Sequence, residues 1–177
     1  MSIPVIIRVE QPGDIPHIRD IVAHAFGQRL EADLVDQLRA DGDLLISLVA
    51  VAGNGELVGH ILFSKLSVEG TRGRLTEAAA LAPLAVRPEY QGKGVGTALT
   101  QAGIRGCTAR GLAAIIVVGD PKFYQRFGFS ATAAGSLKSP YPGDAFMALE
   151  LRPGALRAKG TVRYAAAFGA VPVEEHA

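Results

Sequence analysis

Apolar positions along the chain follow two periods, one of two residues and one near 3.6. Residues 5 to 9 (Val-Ile-Ile-Arg-Val) read as a strand, after which Ile15, Ile18, Ile21 and Val22 form a helical stripe. Asp14 is the expected N-cap of that helix, with Pro16 in its first turn. A second amphipathic helix is predicted from about residue 29 to 40, with Leu30, Leu34, Val35 and Leu38 on one face and Gly42 after it. Residues 44 to 52 and 57 to 66 form a hairpin around Gly53-Asn54-Gly55, and residues 70 to 75 read as a loop. A buried strand at 78 to 86 carries Pro83, which has no N–H to donate, so a bulge or a break in pairing is expected there. A helix over 94 to 110 closes at Gly111, and a core strand follows at 113 to 118. Asp120 caps a short helix with Pro121 at its first position; further strands are predicted at 145 to 151 and 161 to 166. The order β-α-α-β-β-β-α-β-α-β means an α/β fold with a mixed sheet.

A chain of 177 residues is expected to form one domain, with its core over about 5–151, an extension over 152–177 and a frayed tail. Lys+Arg 18 against Asp+Glu 17 leaves a formal charge of +1, which gives no global attraction to nucleic acid or to an anionic membrane, although a local basic patch is compatible with it. Arg8, Glu10, Asp14, Arg19 and Asp20 interrupt any apolar leader, and the longest apolar run, 112 to 118, is too short to span a bilayer. A cytoplasmic location follows as the expectation. Cys107 is the only cysteine, and His17, His24, His60 and His176 lack ligand spacing, so no metal is expected.

The most informative segment runs Leu81-Ala-Pro-Leu-Ala-Val-Arg-Pro-Glu-Tyr-Gln-Gly-Lys-Gly-Val-Gly-Thr97, a glycine-rich turn between strand and helix. Backbone without Cβ atoms, next to the unpaired N–H groups of a helix start, makes an anion site suited to a diphosphate. Lys93 is followed by Gly94 rather than Ser or Thr, which excludes a P-loop, and Thr97 breaks a dinucleotide fingerprint. On the turn alone, a plain strand-to-helix connection stays open.

Gln91, Gly94 and Gly96 spell Gln-x-x-Gly-x-Gly, and downstream stands Phe123-Tyr124-Gln125-Arg126-Phe127-Gly128-Phe129. These two motifs, one helix and one strand apart, resemble the GNAT superfamily of acetyl-CoA-dependent N-acetyltransferases. Gly-Asp-Pro-Lys-Phe-Tyr at 119–124 and Leu-Ala-Pro-Leu-Ala-Val at 81–86 look like its predicted acetyltransferases of the YhbS type. The resemblance covers roughly residues 5 to 151. It implies a mostly antiparallel twisted sheet with a splayed central strand pair and helices on both faces.

The resemblance also implies roles. The amides of Gln91, Gly92, Lys93, Gly94, Val95, Gly96 and Thr97 would hold the diphosphate of acetyl-CoA, the cosubstrate. Leu84, Ala85 and Val86 would lend backbone groups to its pantetheine arm. Lys93 is either a further contact or a solvated lysine. Tyr124 matches the family's general acid, which protonates the departing thiolate, while Phe123, Phe127 and Phe129 around it also suit a core aromatic. Gly-Asp-Pro stands where the family often has Asn and an Ala-rich step, which leaves the start of that helix and the aim of Tyr124 open. Glu31 is the first candidate base, ahead of Asp33, His60, Glu77 and Asp120, because the early helices wall the acceptor site in such proteins. A solvent-facing Glu31, a structural His60 and a capping Asp120 are the alternatives. His24 is read as a partly buried helix histidine, Tyr90 as surface packing, and Cys107 as a buried, unreactive thiol. The loop 139–143, with Tyr141, is a candidate cover for the acceptor end.

The implied activity is direct transfer of an acetyl group from CoA to an amine. The acceptor would be a small molecule or a peptide or protein amine, with neither nucleic acid nor membrane as partner. A non-catalytic acyl-CoA-binding or regulatory domain of the same fold is the alternative. A homodimer through the C-terminal strand is a further expectation.

Overall fold

The computed structural model describes residues 1–141 and 143–170; Pro142 and the tail expected to fray, 171–177, lie outside the described residues. The chain runs β1 (Val5–Val9), α1 (Ile15–Phe26), α2 (Leu30–Ala40), β2 (Leu44–Ala52), β3 (Leu57–Glu69), β4 (Leu75–Val86), α3 (Val95–Ala109), β5 (Ala114–Val118) and α4 (Pro121–Tyr124). It then adds β6 (Leu137–Lys138), β7 (Phe146–Glu150) and β8 (Gly160–Tyr164). The eight strands form one sheet in the order β1-β2-β3-β4-β5-β7, with β8 paired to β3 and β6. The β4–β5 and β6–β8 pairs are parallel; β1–β2, β2–β3, β3–β8 and β5–β7 are antiparallel. This is the mixed, mostly antiparallel α/β architecture expected.

Three local readings change. Asp14 occupies the residue before α1 but does not cap it: its carboxylate turns back to Arg8, at 2.7 and 3.1 Å, and to the Gln11 amide at 2.7 Å. The ion pair with a strand residue six positions earlier outcompetes the local cap. β3 runs to Glu69, past residue 66, because Leu66–Glu69 find partners in β8. The strand expected at 161–166 is shorter, Gly160–Tyr164, and pairs with β3 and β6 in the chain's own sheet.

The chain divides into two compact units, Met1–Ser64 with Ala82–Gly106, and Lys65–Leu81 with Cys107–Ala177. In the first, side chains of β2 and β3 alternate between two buried faces. One face packs on α3 through glycines: Phe63 lies against Gly103, Ile46 reaches within 3.0 Å of where a Gly106 Cβ would stand, and Gly59 faces Leu99 and Val95. The other face carries Ser47, Val49, His60 and Leu62, and there Arg39 of α2 reaches Glu10, whose carboxylate also binds Ser47. In the second unit, β5 lies between the start of β4 and β7, with Ala79, Ile115, Ile116 and Met147 fully buried. The parallel β4–β5 register covers only Ala79 to Leu81 and ends before the cis Ala82–Pro83 peptide. The break in pairing anticipated at Pro83 falls there.

Candidate functional site

The glycine turn is built as an open backbone cradle within the first unit. Gly92 (φ +74°) and Gly94 (φ +86°) are both left-handed, a conformation that side-chain-bearing residues rarely take. A Cβ on Gly92 would meet nothing within 4 Å, so the turn is open at that point. At Gly94 it would stand 2.9 Å from Ser2 Oγ, and the Ile3 amide bonds the Lys93 carbonyl at 3.0 Å, so the N-terminus braces the opposite side. The Ala98 amide bonds the Gly94 carbonyl at 3.1 Å, so α3 starts directly from the turn. The helix dipole adds partial positive charge at the same place.

Other side chains brace the turn from outside. Gln91 Nε2 donates to the Val86 carbonyl at 3.0 Å, tying the turn to the end of β4. The Lys93 ammonium sits 5.7 Å from the Tyr90 ring centroid, and Tyr90 donates to Glu56 at 3.1 Å, which makes Tyr90 a surface packing residue. Arg87 bonds the Leu57 carbonyl at 2.9 Å and Asp20 at 3.0 Å. Of the three β4 residues, Ala85 is buried, with its carbonyl 3.3 Å from the Gly59 Cβ position, whereas Leu84 and Val86 are half-buried.

Tyr124 belongs to the second unit and is held by its own turn. Asp120 accepts from the Lys122 amide at 3.0 Å, capping α4, and Pro121 fills the first helical position. The Gly-Asp-Pro sequence is thus a sound helix start. The Tyr124 ring lies over Gly119, where a Cβ would stand 2.6 Å from ring carbon Cε2. Phe123 packs edge-on at 4.9 Å and Phe129 at 5.7 Å. The ring is therefore both a core aromatic (8% exposed) and a fixed phenol. Among the described residues, none exchanges a hydrogen bond with its hydroxyl. Burial, and secondarily the Asp120 charge, raises its pKa well above the ordinary phenol value, so it keeps its proton at any working pH. Gly119 leaves room for the Tyr124 ring, a contact that sequence reasoning missed; its signal was a glycine directly before the cap.

The candidate bases separate by environment. Glu31 does not face solvent: it is 5% exposed, and Gln28 Nε2 donates to its two oxygens at 3.1 and 3.2 Å. Asp33 pairs with Arg19 at 2.6 Å, Glu77 is exposed, and Asp120 is spent as a cap. His60 is fully buried in a chain that couples four elements. Arg39 donates to Glu10 at 2.6 and 3.1 Å, Ser47 Oγ lies 2.6 Å from Glu10 and His60 Nε2 lies 2.8 Å from Ser47 Oγ. A carboxylate only accepts, so Ser47 donates to Glu10 and must accept from an Nε2-protonated imidazole. Nδ1 is then a buried lone pair with no partner. Burial, with Arg39 assisting against the opposing Glu10 charge, lowers the His60 pKa from 6.5 to about 4. Burial would raise the Glu10 carboxyl, but the bonds from Arg39 and Ser47 outweigh it and leave its pKa below normal. His60 is thus held inside the core, neutral and bonded to Ser47.

One other expectation is corrected: His24 is exposed, with Nδ1 2.9 Å from the Asp20 carbonyl, because it sits on the outer face of α1. Tyr141 packs edge-on against Tyr164, centroids 5.1 Å apart. Burial pushes the Cys107 thiol up to about 12. Among the described residues, no group of three or more His, Cys, Asp or Glu side chains could hold a metal ion, and no helix is long and apolar enough to cross a membrane.

A family profile described as acetyltransferase (GNAT) domain matches residues 6–132. The uncharacterized N-acetyltransferase YhbS of Escherichia coli is 37% identical over 162 residues, 90% of this chain and 95% of that protein. The crystal structure of YhbS in complex with CoA superposes with a TM-score of 0.86 at 34% identity, covering 97% of this chain and 96% of that one. A GNAT family acetyltransferase from Brucella melitensis, solved with acetyl-CoA, gives a TM-score of 0.77 at 32% identity, covering 93% and 98%.

Proposed function

The chain belongs to the GNAT acetyltransferase family, and from that premise we propose that it moves an acetyl group from acetyl-CoA to an amine by direct transfer. The observation that carries the reading is the turn at Gly92 and Gly94, with two left-handed glycines directly ahead of the N-terminal end of α3. Backbone at 91–97 holds the diphosphate, as N–H groups at a helix start do for anions. Leu84, Ala85 and Val86 offer main-chain groups to the pantetheine amides, and the Gln91 side chain fixes the end of that strand. The CoA-bound relatives support this placement.

Transfer forms a C–N bond and breaks the C–S bond. The incoming amine must lose a proton and the departing thiolate must gain one. Tyr124 is the donor to sulfur: its raised pKa keeps the phenol protonated, and its hydroxyl is not engaged by the fold. Glu31, held by Gln28, or water takes the proton from nitrogen. The acceptor is a small-molecule amine or a peptide or protein amine.

Isothermal titration with acetyl-CoA, followed by a thiol-release assay over a panel of amines, tests the reading. One-to-one binding and amine-dependent CoA release are expected. Binding without release from any amine would favour a non-catalytic acyl-CoA sensor, and absence of binding would remove the assignment.

A further inference from the structure

A second concave site lies entirely within the unit formed by Lys65–Leu81 and Cys107–Ala177. The loop before β4 and the segment after β7 enclose a cavity of about 530 Å³ whose charged lining is Arg74, Arg152, Arg157 and Lys159. Among the described residues no carboxylate lines it, and Thr71 and Thr76 add hydroxyls. The two segments meet through backbone: a Cβ on Gly70 would stand 3.8 Å from the Lys159 carbonyl oxygen, and the Gly70 amide bonds the Arg74 carbonyl at 2.7 Å. Arg157 is placed by its own turn, with its amide on the Gly154 carbonyl at 3.1 Å. Its Nη2 lies 2.9 Å from where a Gly154 Cβ would stand, so the guanidinium rests on a left-handed glycine (φ +79°).

All four cations are solvent-exposed and gather on one concave surface, where a bound anion would relieve their mutual repulsion beyond what solvent screening does. Among the described residues none of the four has a carboxylate within ion-pair distance; the nearby Glu69 is paired with Arg163, and Glu150 accepts from the Leu156 amide. Arg8, Arg19, Arg39 and Arg87 of the other unit are in ion pairs, while its exposed Arg29 and Arg105 are in none among the described residues. Three guanidiniums match the planar, bidentate recognition of phosphate oxygens. The volume falls in the range of small-ligand sites.

We propose that this cavity binds a small oligophosphate-bearing metabolite, at a site separate in the sequence from the glycine turn. Inorganic tripolyphosphate is the probe, titrated calorimetrically into protein saturated with CoA. One tripolyphosphate per chain is expected, binding more weakly as salt rises. Arg152→Glu/Arg157→Glu should weaken it by about a hundredfold while leaving melting temperature and acetyl-CoA binding unchanged. Gly92→Ala should leave tripolyphosphate binding intact. If the double reversal unfolds the chain, Lys159→Glu alone, at an exposed position, decides by a loss of about tenfold. No binding to the wild type, or binding equal in the charge variants, overturns the proposal. Loss in Gly92→Ala with retention in the charge variants assigns the anion to the glycine turn instead, and overturns it equally. A single-stranded DNA oligomer that outcompetes tripolyphosphate at equal phosphate concentration would replace the small-molecule assignment.

Discussion

Lowering the pH from 8 to 5 should destabilise the protein through His60. In the unfolded chain this imidazole titrates at its ordinary value near 6.5; in the fold burial holds it to about 4. The unfolded state therefore takes up the proton first, so stability falls as pH drops through 6.5 and levels off below about 4. The interval between the two values corresponds to about 3 kcal/mol at its acid limit. At pH 5, where the unfolded imidazole is nearly all charged and the folded one nearly all neutral, about 2 kcal/mol is lost. For a chain of this size that lowers the melting temperature by roughly 4–8 °C. The physical cause is specific: a proton on Nδ1 would create a buried N–H with no acceptor, beside Arg39 across Ser47 and Glu10. Glu10 adds to acid loss only below its ordinary range near 4.5, so the window from pH 8 to 5 belongs to the histidine. The assay is calorimetric melting of wild type and His60→Gln, whose amide can still donate to Ser47, at half-unit pH steps. The slope between pH 7 and 5 should flatten in the variant. An identical slope in both proteins would refute the assignment of a neutral, buried His60.

Three other substitutions test the cradle and the acid. Gly92→Ala should cost about 1–2 kcal/mol, seen in denaturant melts, because φ +74° is strained for alanine while its Cβ meets nothing; titration should show weaker acetyl-CoA binding. Tyr124→Phe should lower kcat by about 10²–10⁴-fold in the thiol-release assay, with acetyl-CoA affinity retained. Because the Tyr124 pKa is raised, the wild-type profile should show no loss of rate from phenol ionisation below pH 10. Gly119→Ala should reproduce much of the Tyr124→Phe defect, since a methyl 2.6 Å from Cε2 must displace the ring; unchanged kcat would show that the ring's position is immaterial.

The parts legible in sequence are those set by local backbone chemistry. Gly92, Gly94, Gly111 and Gly128 are left-handed where the turns and helix ends were placed, and Asp120 caps α4 as its position before Pro121 predicts. The strand and helix cores fall where the apolar periods put them, because burial of one face is a property of the segment itself. What the sequence concealed depends on residues far apart in the chain. Asp14 is drawn from its cap by Arg8, and β3 is lengthened by β8 nearly a hundred residues on. The Arg39–Glu10–Ser47–His60 chain joins a strand end, a helix end and two paired strands, and nothing in the local pattern of any one of them announces it.

The same division explains why the donor side of the reaction is readable and the acceptor side is not. A diphosphate can be held by main-chain amides at a helix start, so recognition is written in glycine spacing and needs no particular side chain. An amine is selected by shape and by individual side chains, and its proton can leave through water, so many residue combinations serve equally. Glu31 shows the difficulty. Its place at the start of α2 suggested a base at the acceptor wall, with a solvent-facing carboxylate as the alternative; it is buried and bonded to Gln28, an environment set by packing around the helix rather than by its sequence neighbours. Substituting Glu31 by Gln keeps its shape and removes its charge, so a drop in kcat at neutral pH that shrinks as pH rises would mark it as the proton acceptor. A uniform loss across pH would place it with the framework, and the amine would then lose its proton to water.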